Sequence, residues 1–230
     1  MTRRIGLLVL AAVLGCSGLT ESQGGVVGIE VRVTGPDTVE VGESIQLSAR
    51  PLDKNGDSAA AAVTWVSADT SATIDPTTGI LTGVSPGTAR VQASVGSLSS
   101  AIITFAVIPP ADTVALAGDS VFTLPAGTTV SPALLTSLQS FHPAGVLAGR
   151  GVIYAITSPD PSAGPLGVTL VNGLVVDTVL TGSDGTASNA LSVVTGATPP
   201  PSVIVEVRAQ RTRGAAVPGS GQRFTVQFQP

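Results

Sequence analysis

The chain has 230 residues, room enough for two β-sandwich domains and more than one small sandwich needs. Only 11% of the residues are charged, the net charge is −4 and Lys54 is the single lysine, so many phosphates cannot be neutralised and nucleic acid is a poor partner. The 27 glycines and 17 prolines fall short of a low-complexity composition; they punctuate valine-rich, β-forming runs, which reads as an all-β protein.

At the N-terminus, Thr2-Arg3-Arg4 is a charged start and Ile5 to Leu14 is a nearly unbroken apolar run. A membrane span needs about 20 apolar residues, so this run is too short to cross but fits the core of an export signal. It ends in Val13-Leu14-Gly15-Cys16, which resembles the bacterial lipobox. That resemblance implies a signal peptide over residues 1–15 and a diacylglycerol-bearing thiol at Cys16. It further implies, from Ser17 rather than Asp after the cysteine, transfer to an outer membrane. Losing the first fifteen residues removes Arg3 and Arg4 and shifts the net charge to −6. Lipid chains hold a protein on a bilayer without spanning it, at about 0.8 kcal/mol per buried CH₂. The stretch through Gly25 reads as a flexible tether, giving 16–25 as lipidated cysteine plus linker. Because Cys16 is the only cysteine, the folded part has no disulfide and depends on an aliphatic core.

From residue 26 the pattern has a period of two, the mark of half-buried strands. Ile29, Val31 and Val33 alternate with Glu30, Arg32 and Thr34; Ile45, Leu47 and Ala49 alternate with Gln46 and Ser48. Ala89, Val91 and Ala93, then Ile103, Phe105 and Val107, repeat it. Turns separate these runs at Gly35-Pro36-Asp37, Lys54-Asn55-Gly56-Asp57, Asp75-Pro76-Thr77-Thr78-Gly79 and Ser85-Pro86-Gly87. A helical stripe is missing, so residues 26–107 are expected to fold as a sandwich. Val41-Gly42-Glu43-Ser44, Val63-Thr64-Trp65, Thr78-Gly79-Ile80-Leu81-Thr82-Gly83 and Ser85-Pro86-Gly87-Thr88-Ala89 resemble, in that order, the group 2 bacterial Ig-like domain. The resemblance implies an immunoglobulin-like sandwich of the kind found in bacterial surface proteins. Trp65 is then expected in the core, with Val63 on the same face, and not as an exposed platform for sugar.

Pro109-Pro110 breaks the pattern and marks a joint. Residues 111–230 are expected to form a second sandwich, with alternation at Val152/Tyr154/Ile156, Val203/Val205/Val207 and Phe224/Val226/Phe228. Asn172-Gly173 between Val168–Leu170 and Leu174–Val176 predicts a two-residue hairpin. Over about half its length this region resembles the invasin-type, group 1 bacterial Ig-like repeat. His142-Pro143-Ala144-Gly145-Val146 followed by Gly151-Val152-Ile153-Tyr154 is similar to its central hairpin, and Thr181 to Ala187 to its strand-opening turn. Arg208, Arg211 and Arg213 form the most basic stretch and are expected on a solvated strand edge that deters pairing; an anionic-ligand site is the alternative.

Catalytic constellations are hard to assemble from these residues. His142 is the only histidine and no cysteine lies in the folded part, so no zinc site of the usual kind is available. Gly118-Asp119-Ser120 resembles the nucleophile block of one esterase superfamily, but the Asp-x-x-His partner of that family is missing; a strand-opening turn parallel to Val41-Gly42-Glu43-Ser44 explains it. Asp53-Lys54-Asn55-Gly56-Asp57 has spaced oxygens but not the EF-hand pattern, since Thr64 stands where its last acidic ligand belongs. The expectation is therefore no enzyme, no cofactor and no metal. What remains is a membrane-anchored envelope protein of two tandem Ig-like sandwiches, acting in surface binding or adhesion to a protein or glycan, or as a spacer. The alternative is a structural envelope subunit without a ligand that docks on other envelope proteins.

Overall fold

The structure is a computed structural model that describes residues 25–230. Cys16, the signal segment and most of the tether lie outside the described residues. Strands in the first half are β1 (Gly28–Val33), β2 (Thr38–Glu40), β3 (Ser44–Leu52), β4 (Thr64–Ser67), β5 (Ala72–Ile74), β6 (Ile80–Gly83), β7 (Gly87–Val95), β8 (Leu98–Ser99) and β9 (Ile103–Ile108). One sheet has the order β1-β3-β6-β5 and the other β2-β9-β7-β4, with β8 a short hairpin partner of β7. This is the four-on-three immunoglobulin arrangement, extended by an extra first-strand segment, β2, that runs parallel to β9.

The alternation read from the sequence sets the core. Ile45 and Leu47 of β3 face Ala89, Val91 and Ala93 of β7 and Phe105 and Val107 of β9, all buried. Trp65, on the edge strand β4, is 4% exposed and belongs to that core. The glycine run has a steric cause. A Cβ on Gly79 would lie 2.7 Å from the Trp65 indole nitrogen, and one on Gly83 would lie 2.6 Å from the Glu40 carbonyl oxygen. Both glycines therefore let neighbouring elements approach more closely than any side chain allows.

The second half repeats the plan with β10 (Thr113–Leu116), β11 (Val121–Leu124), β12 (Leu134–Phe141), β13 (Ala144–Val146), β14 (Gly151–Ser158), β15 (Val168–Leu170), β16 (Val176–Leu180), β17 (Thr186–Asn189), β18 (Leu191–Val193), β19 (Ser202–Ala209) and β20 (Gln222–Phe228). One face is the five-stranded sheet β11-β20-β19-β14-β16, again with a parallel first pair. The other is built on β12, which pairs with β10 on one side and with β17 and β13 along the rest of its length. It continues through the two-stranded β15-β18 pair. Tyr154 of β14 stands where Trp65 stands in the first sandwich. It is fully buried, donates its hydroxyl to the Ala187 carbonyl at 2.8 Å and shares a 2.7 Å hydrogen bond with Thr136. Those partners sit on the opposite sheet, so one side chain fastens the two layers together. The protein is thus two tandem Ig-like β-sandwiches.

Three local expectations are corrected. Asn172-Gly173 does form a turn, with Gly173 donating to the Leu170 carbonyl, but the flanking runs do not pair as a hairpin. β15 pairs with β18 and β16 with β14, so the turn carries the chain from one sheet to the other. His142-Pro143 closes a hairpin between β12 and β13, and β14 lies in the other sheet. Gly118-Asp119-Ser120 opens β11, yet its counterpart is Gly35-Pro36-Asp37. The Ser120 carbonyl accepts from Thr225 N–H as the Asp37 carbonyl accepts from Ala106 N–H. Beside these, Glu206 of β19 is 7% exposed, held between Arg208 and Arg223.

Candidate functional site at the junction of the sandwiches

β1 begins beside Leu52, next to the Asp53–Asp57 turn, and its last residue, Val33, pairs with Leu47. Six residues at a rise of about 3.3 Å each put the end of the first sandwich at which β1 begins some 20 Å from the Thr34–Asp37 loop. At that loop the second sandwich docks, through the segment after β9, the Arg150 turn before β14 and the Arg211–Gly214 turn after β19.

The centre of the junction is Glu40, the last residue of β2, whose side chain is 0% exposed. A carboxylate taken out of water needs partners for both oxygens. One oxygen accepts from the Arg150 guanidinium and from the backbone N–H and hydroxyl of Thr212, both at 3.1 Å. The other accepts from the Ala111 N–H at 3.1 Å and lies 3.8 Å from the Arg211 guanidinium. All of these donors belong to the second sandwich or the joint that leads into it. The arginines are held in turn: Arg211 by the Ala111 carbonyl and Asp112, each at 3.1 Å, and Arg150 by a hydrogen bond to the Pro109 carbonyl. A second contact flanks the first. Arg213 reaches back to donate to the carbonyls of Thr34 and Pro36 at 3.0 Å, with Glu43 3.9 Å away. Chemically the arrangement binds one half of the chain to the other, and its charges are occupied in doing so.

This corrects the expectation for Arg208, Arg211 and Arg213. β19 is an interior strand between β20 and β14, not an edge. Arg208 pairs with Glu206, whereas Arg211, 3.8 Å from Glu40, and Arg213 reach the first sandwich. Glu40 itself went unnoticed, since one acid in Thr38-Val39-Glu40-Val41 looks like any outward residue of a strand. The available signal was the arginine pair in a turn without acidic neighbours, which asks for a distant counter-charge.

The other residues singled out have local work. Asp53 accepts the N–H groups of Asn55 and Asp57 at 2.8 and 2.9 Å, closing a hairpin turn. His142 is exposed in its turn. A shallow groove runs between the edges of β4 and β5, past Val66, Asp69, Thr73 and Pro76. Its acid, Asp69, is engaged by the Arg90 guanidinium at 2.8 and 3.0 Å, which holds the carboxyl below its usual range. At the far end of the second sandwich, the loops 125–133, 159–167 and 194–201 hold one charged residue, Asp160, whose carboxylate accepts from Ser162.

Residues 29–105 match the family model of the bacterial Ig-like domain (group 2). No curated protein matches the chain in sequence. Among solved structures, domains 4 and 5 of the S-layer protein SbsC are similar at 14% identity and a TM-score of 0.34, over 89% of this chain and 99% of that one. The Yersinia pseudotuberculosis adhesin InvE is similar at 18% identity and a TM-score of 0.39, over 90% of this chain and 61% of that one. The Clostridium thermocellum CbhA fibronectin(III)-like modules give 15% identity and a TM-score of 0.43, over 87% of this chain and 94% of theirs.

Proposed function

We propose that this chain is a lipid-anchored protein of the bacterial cell envelope, in which two Ig-like sandwiches form a stiff spacer that holds its far-end loops away from the membrane. The observation that carries the spacer reading is Glu40. A carboxylate buried at a domain joint, fixed by four hydrogen-bond donors and flanked by the Arg211 guanidinium, resists the relative motion that is the default for tandem domains. The anchor rests on Val13-Leu14-Gly15-Cys16, and the described chain enters the first sandwich at the end opposite the joint. The proline-rich loops at the other end, with Asp160 their one charged residue, are the surface offered to a protein or glycan, where sandwich folds carry variable function. A non-enzymatic role agrees with the charged groups found together, which are arginine–carboxylate pairs engaged in the fold. Intact mass of the mature protein tests the anchor: a chain beginning at a diacylglycerol-modified Cys16 is expected in the membrane fraction, and Cys16→Ser is expected to release it. An unmodified, freely soluble mature chain overturns the anchored reading.

A further inference from the structure

Sheet edges are places where proteins add strands, and several edges here are closed to that. On β10 the Val114 N–H is taken by the Pro218 carbonyl, and on β4 the Trp65 N–H by Pro76. β1 carries the Glu30–Arg32 pair, a charged edge that discourages pairing. The outer edge of β16 differs. It is the end strand of the five-stranded sheet and pairs only with β14. Ile156 donates to the Val175 carbonyl and Thr181 to the Arg150 carbonyl, so residues 175, 177, 179 and 181 face β14 in the ladder. The N–H and C=O groups of Val176, Thr178 and Leu180 therefore point outward. Asn172 makes one long side-chain contact, 3.4 Å, to the Val176 carbonyl. The same residues expose apolar side chains: Val176 is 48% exposed, Leu180 65%, and the preceding Leu174 61%. No lysine, arginine or proline interrupts Leu174 to Leu180. By composition and exposure this is an adhesive edge.

We propose that β16 is the surface through which two copies of this chain associate, edge to edge and antiparallel, about a two-fold axis at Thr178. The register is self-complementary. With Thr178 opposite Thr178 of the second copy, Val176 faces Leu180 and Leu180 faces Val176, and all three positions present outward backbone groups to one another. Six ladder hydrogen bonds form, and the contact is isologous as a two-fold dimer requires. Each of these three hydrogen-bonded pairs is apolar–apolar or threonine–threonine, the combinations that stabilise sheets. The only charge on the strand, Asp177, falls opposite Val179 and not opposite its own copy, and Asn189 holds it at 2.8 Å. Charge therefore permits self-pairing in this register, and the two five-stranded sheets join into one of ten. This inference is independent of the lipid anchor and of the spacer role.

The test uses the full chain in mild detergent, with mass measured by light scattering across a concentration series. The mass is expected to rise toward twice that of the monomer. Val176→Lys alone and Leu180→Lys alone are expected to weaken association at least tenfold, because each sets a charge against an apolar partner. The double variant Val176→Lys/Leu180→Glu sets lysine against glutamate twice and is expected to recover it. Unchanged melting temperatures in the single variants show that the fold persists. A monomer at every concentration overturns the proposal, and so does a dimer that both single variants leave intact.

Discussion

Trp65 and Tyr154 occupy matching positions on β4 and β14, and they do different work there. The indole fills space. Trp65→Ala empties a site closed on one side by Gly79, and a loss of about 3–5 kcal/mol is expected in denaturant unfolding. The phenol adds a polar bridge between sheets, and its burial pushes the pKa up to about 12. In the unfolded chain the group ionises near 10. The folded state therefore keeps its full stability below pH 10 and loses it progressively as pH rises toward 12, by about 2–3 kcal/mol in all. Tyr154 is the only tyrosine, so the assignment is clean. Denaturant unfolding at pH 9 and pH 11.5 should show this loss in the native chain and lack it in Tyr154→Phe, which starts lower because Ala187 and Thr136 lose a partner.

At the scale of elements, what could be read from the sequence was whatever is local. Period-two runs located the strands of the first sandwich because each alternation is complete within a few residues. The turn at Asp53–Asp57 was readable because its hydrogen bonds close over five residues. Pairing partners were not readable wherever the chain changes sheets. Asn172-Gly173 makes a turn in either topology, and nothing within it records that β16 goes on to join β14. The arginine pair failed for the same reason: its counter-charge, Glu40, lies more than 170 residues away in sequence from Thr212, the neighbour that shares it. Apolar alternation identifies a buried face; it cannot identify a buried acid whose partners come from another domain.

For the molecule as a whole, Glu40 decides whether the halves move together. Glu40→Ala leaves Arg150 and Arg211 facing each other across a dry gap, and about 3 kcal/mol is the expected cost. That is the lower part of the range for breaking a buried pair, because both arginines keep some access to water. Spin labels on exposed strands of the two sandwiches are expected to give one narrow distance distribution in the native protein and a broad one in Glu40→Ala. Equal widths would show that the proline joint alone sets the geometry. The parallel pairs β2–β9 and β11–β20 add a mechanical side to this picture. If the chain is pulled from its two termini, the strands of each pair slide past one another along their length. The rungs between them then share the strain at once and are not peeled open in sequence. Extension by such a pull is resisted at those two ladders, with the Glu40 clasp sitting at the tip of the first.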